Sequence, residues 1–147
     1  MTYKELVNSL QLAITNHLFI NTQGYGNISD IEVPENEEPP NYPYAFINPL
    51  STAYSRRDFT WTFNLILMTQ VNDSQTDDLA GQDAMIQIIS DLMSTYLLTN
   101  EDPLIDVTVP FTMVPFKERF QDDVVGATAT ITMTYGKPID GCVIPST

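Results

Sequence analysis

The side chains that most often carry chemistry are few in this chain. The 147 residues include one His, His17, and one Cys, Cys142. A catalytic nucleophile needs a base beside it, but His17 stands on the apolar side of a predicted helix, which is typical of a packed or capping His. Cys142 has only Lys137 near it in sequence as an activating cation, so we interpret it as a small apolar residue. We therefore predict no catalytic residue and expect a binding or structural protein.

Metal-ligand patterns are equally sparse. A structural zinc site needs several Cys or His ligands, and the chain has one of each. The segment Asp73 to Asp77 loosely resembles a calcium loop, but Asp78 stands where the sixth-position Gly belongs and Ala84 where the twelfth-position Glu belongs. We predict no metal site and no cofactor, and we interpret the segment as a solvated loop before a helix, with calcium binding left as an alternative.

The charge of the chain limits its partners. The formal net charge is -13 and the isoelectric point is about 4.1, whereas binding to nucleic-acid phosphates or anionic membranes needs a basic surface. No run approaches the roughly 18 apolar residues of a membrane span. A single Cys cannot form an internal disulfide. We expect a chain made in a reducing cytoplasm that binds neither membranes nor specific DNA sites.

Two amphipathic helices are predicted. Thr2 and Glu5 have the spacing of a capping box at the start of the first helix. The second helix extends over residues 79–98, and Asp77 and Asp78 precede it at its positive end. Its apolar residues recur at three- and four-residue intervals and form a stripe wide enough to pack on a sheet: Met85, Ile88, Ile89, Leu92, Met93, Tyr96 and Leu97.

Alternating or β-prone segments predict the strands of this sheet. They are residues 28–33, 44–47, 59–71, 105–113 and 127–135. Pro110 lacks an N–H donor and therefore indicates an edge strand or a bulge. Residues 21–26 are interpreted as a turn that ends the first helix, and residues 48–58 as a loop.

This order of elements predicts an α+β fold in one domain, residues 1–147. We expect a single, mainly antiparallel β-sheet with two α-helices packed on one face. The other face should be rich in Thr, Asn and Gln, although Ile66 and Met68 indicate that part of it is also covered. The Pro-rich loop 34–41 and the tail 136–147 are predicted to be extended and to contact other subunits.

The same order resembles the tail terminator, tail completion and head-to-tail joining proteins of tailed bacteriophages. The resemblance rests on the first helix, the segments 44–47 and 59–71, the helix 79–98 and the two closing strands. The run Phe120 to Gly126 before the last strand and the Cys-containing end add to it. The resemblance implies a virion ring at the head–tail or neck–tail junction that lets DNA pass. It implies six copies, or twelve in the neck of a short-tailed phage, with neck, portal or tail-tube proteins as partners and no catalytic residues.

Candidate interface residues are of two kinds. The basic residues are few and cluster in two predicted loops: Arg56 and Arg57, then Lys117 and Arg119. They either pair with acids of a neighbouring copy or are ordinary solubility charges. The aromatic residues are Tyr42, Tyr44, Tyr54 and Phe116. They either anchor subunit contacts, because aromatic residues are enriched at interface cores, or pack inside their own subunit.

The acids of the Pro-rich loop are candidates for a channel lining. Glu35, Glu37 and Glu38 would repel DNA phosphates if they faced a lumen, and otherwise they are an exposed charge run. The main alternative to a ring protein is a small acidic α+β enzyme or ligand-binding domain, whose paired carboxylates would meet only in space. A further alternative is a host-encoded adaptor of the same fold.

Overall fold

The described residues of the protein form one mixed six-stranded sheet with two helices. The computed structural model describes residues 2–27, 42–55, 58–70, 75–99, 105–119 and 123–136. The helices are α1 (Tyr3–Asn16) and α2 (Gln75–Thr99). The strands are β1 (Thr22–Tyr25), β2 (Tyr44–Tyr54), β3 (Phe59–Gln70), β4 (Ile105–Val107), β5 (Thr112–Arg119) and β6 (Asp123–Tyr135).

The strands lie in the order β1, β2, β3, β6, and β4 and β5 both pair with the outer side of β6. Among the described strands, only β1 and β2 pair in parallel, and the other pairs are antiparallel. The predicted α+β class with a mainly antiparallel sheet is confirmed. The longest ladder joins β3 to β6, where Phe59 faces Tyr135 and Gln70 faces Val124.

Both helices cover the same face of the sheet. The apolar stripe of α2 and the buried residues of α1 belong to one core with alternate residues of the strands. Its largest fully buried side chains include Trp61, Phe63, Leu10, Ile14, Ile89 and Leu92. The rings of Trp61 and Phe63 stack with centroids 4.1 Å apart. Alternate residues of each strand and every third or fourth residue of each helix lie on one side of their element. The apolar sides of the strands and helices therefore pack against each other in this core.

The helix-free face is divided into an apolar end and a polar end. At the apolar end Phe46, Ile66, Met68 and Val124 form a second buried cluster, so the prediction that part of this face is covered is confirmed. At the polar end cross-strand pairs meet through their hydroxyl and amide groups. The Oγ1 atoms of Thr62 and Thr132 are 3.3 Å apart, and Thr130 Oγ1 donates to Asn64 Oδ1 at 2.8 Å.

The capping box predicted for α1 is present. Thr2 Oγ1 accepts from the Glu5 N–H at 3.2 Å, and a Glu5 carboxylate oxygen accepts from the Thr2 N–H at 3.0 Å. Replacing Thr2 by Ala should lower the free energy of unfolding by about 1 kcal/mol, because it removes one acceptor for the first turn. Urea denaturation followed by circular dichroism measures the loss. A loss below about 0.3 kcal/mol would contradict a contribution of this cap.

Two predictions about the first half of the sheet are wrong. Residues 22–25 form β1 rather than a turn, because the parallel pairing with residues 44–47 supplies hydrogen-bond partners that the local sequence does not reveal. Gly24 permits the approach, since a Cβ there would lie 2.5 Å from Tyr44 Oη and 2.9 Å from a ring carbon of Phe46. The predicted loop 48–58 is largely strand, because β2 continues to Tyr54 past an irregularity between Pro49 and Ser51.

The second half differs in a similar way. The predicted strand 105–113 is interrupted, and the exposed Pro110 lies between β4 and β5. This agrees with its missing N–H donor and with an edge position. Lys117 and Arg119 were predicted in a loop, but they lie in β5, which pairs with the first part of β6. The final strand therefore begins at Asp123 rather than at residue 127.

The second helix begins earlier than predicted, at Gln75. Asp77 and Asp78 consequently lie inside its first turn, where the helix dipole favours acids. Lys117 Nζ donates to Asp78 Oδ2 at 2.8 Å and ties this turn to β5. The part of the calcium-like segment from Gln75 onward is helical, so that segment is not a continuous loop.

Several predicted features lie outside the described residues. They are the strand 28–33, the loop 34–41 with Glu35, Glu37 and Glu38, the pair Arg56 and Arg57, the residues Val71, Asp73 and Phe120, and the tail from residue 137 with Cys142. Within the described residues, neither helix combines the length and the apolar character that crossing a membrane requires.

Candidate functional site

The single histidine is held at the end of α1 by both of its ring nitrogens. His17 caps the helix in an extended conformation. Its Nδ1 accepts from the Phe19 N–H at 3.2 Å, so in the neutral ring the proton lies on Nε2, which lies 2.8 Å from Asp91 Oδ2. The side chain of His17 is only 7 % exposed, and that of Asp91 is 67 % exposed. Because neither nitrogen is free, His17 does not have the arrangement of a general base.

Two adjoining hollows flank this pair. One has a volume of about 360 Å³ and the other about 480 Å³, and His17, Phe19 and Asp91 line both. Their other walls come from the end of α1, from the residue after its cap and from α2: Ala13, Asn16, Leu18, Ala84, Gln87, Ile88, Leu92 and Thr95. We call this region the corner groove.

The rim of the corner groove is apolar and exposed. Leu18 is 91 % exposed and Phe19 is 66 % exposed. Single exposed apolar residues are ordinary, but two adjacent ones beside a groove make it a candidate binding surface. The end of α1 exposes these residues because the chain must turn away from the sheet before Ile20 returns to the core.

The electrostatic character of the corner groove is negative. Asp91 lines it, and Asp83 lies next to it, where it accepts from Gln87 Nε2 at 2.9 Å. The last turn of α1 carries no basic residue, so the negative end of its dipole is unopposed within the helix. Lys4 is the one basic residue in the two helices, and it lies at the opposite end of α1. The groove is therefore suited to a ligand that combines a cation with apolar surface.

The described residues of this site offer one exposed carboxylate and an apolar rim for contact with a ligand. In the described parts of the chain, no three His, Cys, Asp or Glu side chains converge as metal ligands do. No Cys or Lys lines either hollow, and the one titratable pair there is His17 with Asp91. A carboxylate held by one histidine and open to solvent can accept a guanidinium or an ammonium group.

An aromatic group lies at the other end of α1. Tyr3 packs edge-on against Phe59 and Trp61, with ring centroids 6.1 Å and 5.5 Å apart. Its hydroxyl lies 2.6 Å from the Tyr25 hydroxyl. Burial, followed by the hydrogen bond with Tyr25, raises the pKa of Tyr3 above its usual value of about 10. This group joins α1 to both β1 and β3 and has no groove of acidic character beside it.

The raised pKa of Tyr3 predicts a loss of stability in alkali. The unfolded chain releases this proton near pH 10 and the folded chain only above that, so the free energy of unfolding should fall as the pH rises beyond about 10. Replacing Tyr3 by Phe should make that decline shallower. Urea denaturation of both proteins at pH 8 to 11 measures the difference. Parallel declines in the two proteins would contradict this role of Tyr3.

The predicted interface residues are not brought together at one place. Tyr42, Tyr44 and Phe116 are half-buried and pack against the second apolar cluster of their own chain. Tyr54 is 63 % exposed near the end of β2. Lys117 pairs with Asp78 of its own chain. Their roles in subunit contacts remain predictions, as do those of Arg56, Arg57, Arg119 and the three acids Glu35, Glu37 and Glu38.

Sequence reasoning missed the corner groove. The run Leu18, Phe19 and Ile20 appears as one apolar continuation of the helix, yet Ile20 is buried and the other two are exposed. Asp91 appears as one of several polar residues on the outer side of α2. Its distance from His17 depends on how α1 and α2 pack, and the sequence carries no local signal of that packing.

Comparison with models of known protein families found no match, and a search of curated proteins found none either.

Proposed function

We propose that this chain is a structural virion protein of a tailed bacteriophage. It forms a ring of six or twelve copies at the head–tail or neck–tail junction, joins the connector to the tail and lets DNA pass. The observation that carries the proposal is the helix-free face of the sheet. Both helices pack on the opposite face, which leaves this one without a helical layer among the described residues.

The polar end of that face suits contact with passing DNA. Its described side chains are hydroxyls and amides, such as Thr60, Thr62, Asn64, Thr130 and Thr132, and none of those on this face is basic. Proteins gain affinity for DNA when their Lys and Arg side chains displace the counterions of the phosphates. A surface without Lys or Arg lacks this source of binding free energy. The net charge of -13 adds a repulsion that salt screens over about 10 Å at 0.1 M. DNA would slide past such a surface without being held.

The outer edges of the sheet suit a ring. Beyond Ile47, no described strand pairs with β2 on its outer side, and residues 50–54 are exposed. On the opposite side of the sheet, β5 pairs only with β6 among the described strands. Two different surfaces on opposite sides of one subunit allow head-to-tail contacts, which form a ring when the rotation between successive subunits closes.

The alternative of a small acidic enzyme or ligand-binding domain requires carboxylates that converge in a pocket. In the hollows formed by described residues, Asp91 is the acid that lines a wall, and it does so in both halves of the corner groove. No observation favours this alternative over the ring.

Electron microscopy of the negatively stained protein, with its native mass, tests the proposal. The expected result is closed rings of six or twelve copies, formed alone or after mixing with tail-tube or portal proteins. A monomer that stays monomeric with those partners and binds none of them would contradict it. A monomer that binds a small-molecule ligand instead would favour the alternative of an enzyme or ligand-binding domain.

The acidic loop gives a separate prediction about DNA passage. Replacing Glu35, Glu37 and Glu38 together by Lys should slow DNA ejection if the loop faces the channel, because the added cations would hold phosphates. Ejection from assembled particles can be followed with a DNA-binding dye. Ring formation by the variant is checked first, so that an assembly defect is not counted as slow ejection. Unchanged ejection would remove this role of the loop.

A further inference from the structure

The outer side of β2 changes character after Ile47. Up to that residue it is paired with β1, and just beyond β1 the Gly26 N–H donates to the Ile47 carbonyl at 3.0 Å. Residues 50–54 are all exposed, and no described strand pairs with them on this side. The free part of the edge is therefore about as long as an ordinary strand.

A hydrogen bond at the end of this segment fixes which of its backbone groups point outward. The Ser55 N–H donates to the Asp58 carbonyl at 2.8 Å, so the backbone groups of Ser55 are directed toward the partner strand β3. Along an antiparallel strand, residues alternate between those that bond to the partner and those that do not. The N–H and C=O groups of Tyr54 and Thr52 consequently point away from β3.

This edge lacks the features that usually keep exposed strands from pairing. Natural edge strands are blunted by charged side chains, by Pro or by a covering element. Beyond the irregularity between Pro49 and Ser51, residues 51–54 carry neither a charge nor a Pro. Leu50 is 52 % exposed and Tyr54 is 63 % exposed. The segment therefore offers free backbone groups together with apolar surface.

A hollow of about 360 Å³ lies beside the free edge. Its walls are mostly apolar or aromatic and come from the start of α1 and from β2 and β3: Tyr3, Pro49, Leu50, Ser51, Thr52 and Phe59. When a strand is added to a sheet, main-chain hydrogen bonds supply affinity and pockets for alternate side chains supply specificity. The edge and the hollow together provide both parts of such a site.

The opposite side of the same sheet provides a strand that fits this site. The outer side of β5 is free among the described strands, and its residues Thr112, Val114 and Pro115 are exposed. The strands β2, β3, β6 and β5 alternate in direction, so β5 of a second copy runs antiparallel to β2. Pro115 removes one donor from β5, but its carbonyl remains an acceptor.

We propose that β5 of one subunit adds to the free edge of β2 in the next subunit. The N–H and C=O groups of Thr52 and Tyr54 bond to β5, and an apolar side chain of the added strand enters the hollow beside Tyr3. The contact rests on the proposed ring and names one of its interfaces. It joins two different edges and is therefore head-to-tail, whereas pairing of two β2 edges would stop at a two-fold dimer.

Hydrogen exchange reports these backbone bonds directly. The amides of Thr52 and Tyr54 face solvent in the free subunit, so in the wild-type ring they should exchange about tenfold more slowly or less. Mass spectrometry with fragmentation that resolves single amides measures both states. The amide of Leu10, inside α1 and buried in the core of its own subunit, is the internal control and should exchange alike in the two states.

A Pro substitution tests the same bonds through assembly. Thr52→Pro removes an outward N–H, and edge strands tolerate Pro when the missing N–H faces outward. Thr52→Ala is the matched control, because it removes the side chain and keeps the N–H. We expect Thr52→Pro to need about tenfold more protein to form rings than Thr52→Ala, since each subunit loses a hydrogen bond and gains a steric block at the contact. Sedimentation velocity measures assembly, and a thermal melt confirms that the variant is folded.

The outcomes separate this contact from the ring itself. Wild-type rings in which Thr52 and Tyr54 exchange as fast as in the monomer would overturn the contact and leave the ring intact. A folded Thr52→Pro variant that assembles like Thr52→Ala would also overturn it. Protection that appears only after a tube or portal protein is added would assign the edge to that protein and overturn pairing between copies. A wild type that remains monomeric with those proteins would overturn the ring and this contact together.

Discussion

Replacing Ile89 by Asp should unfold the protein. Ile89 is fully buried on α2, in the core shared with Phe63 and Leu92. A carboxylate there has no cation within the core, so it either stays charged at high cost or takes a proton and remains a poorly paired polar group. The expected loss is more than about 4 kcal/mol, against a total stability of about 5–15 kcal/mol for an ordinary domain. Phe63→Asp should have the same result.

Ser94→Asp is the matched control for this change. Ser94 lies on the same helix and is exposed, so its replacement should change the free energy of unfolding by no more than about 1 kcal/mol. Circular dichroism and a thermal melt distinguish the two variants. A cooperative melt of Ile89→Asp near the wild-type midpoint would show that α2 does not pack on the sheet through this residue.

Replacing Gly126 by Ala should disrupt the centre of the sheet. A Cβ at this position would overlap the carbonyl oxygen of Leu67, and it would lie 2.8 Å from the carbonyl carbon of Leu67 and 2.9 Å from Met68 Cα. All of these are backbone atoms of β3, so the clash is relieved only if two strands move apart. Overpacking of a well-packed interior costs about 1–3 kcal/mol and occasionally more, and we expect at least the upper end here.

Gly24→Ala is the informative comparison. Its Cβ would also meet close neighbours, but these are the hydroxyl of Tyr44 and the ring of Phe46. Side chains can rotate away at a smaller cost than backbone, so the loss of stability should be clearly smaller than for Gly126→Ala. Equal losses measured by urea denaturation would contradict the distinction between the two sites.

The two faces of the sheet have different chemistry, which is the physical basis of the proposed ring. The helical face is closed by packing around Trp61 and Ile89. The opposite face has a polar end of cross-strand pairs such as Thr62 with Thr132. Because the described parts of that face carry no basic side chain, it can stand beside DNA without retaining it.

The sequence alone was sufficient for the periodic elements. The alternation from Phe59 to Gln70 and the apolar stripe of α2 each define one long apolar face. An apolar face of this length is stabilised by packing against another element, so the pattern predicts the element and its buried side. The capping box of Thr2 and Glu5 is equally local, since both partners lie within one turn. These features, and with them the α+β class, follow from neighbours in sequence.

Features that depend on distant partners were decided only by the tertiary structure. β1 and β5 have weak patterns of their own, and they become strands because β2 and β6 offer unpaired backbone groups at the right distance. The corner groove exists because packing of both helices on one sheet brings Asp91 to within 2.8 Å of His17, which is 74 residues away in sequence. The local sequence around either residue does not predict this contact. The free energy that brings the two side chains together comes from packing of both helices on the shared core.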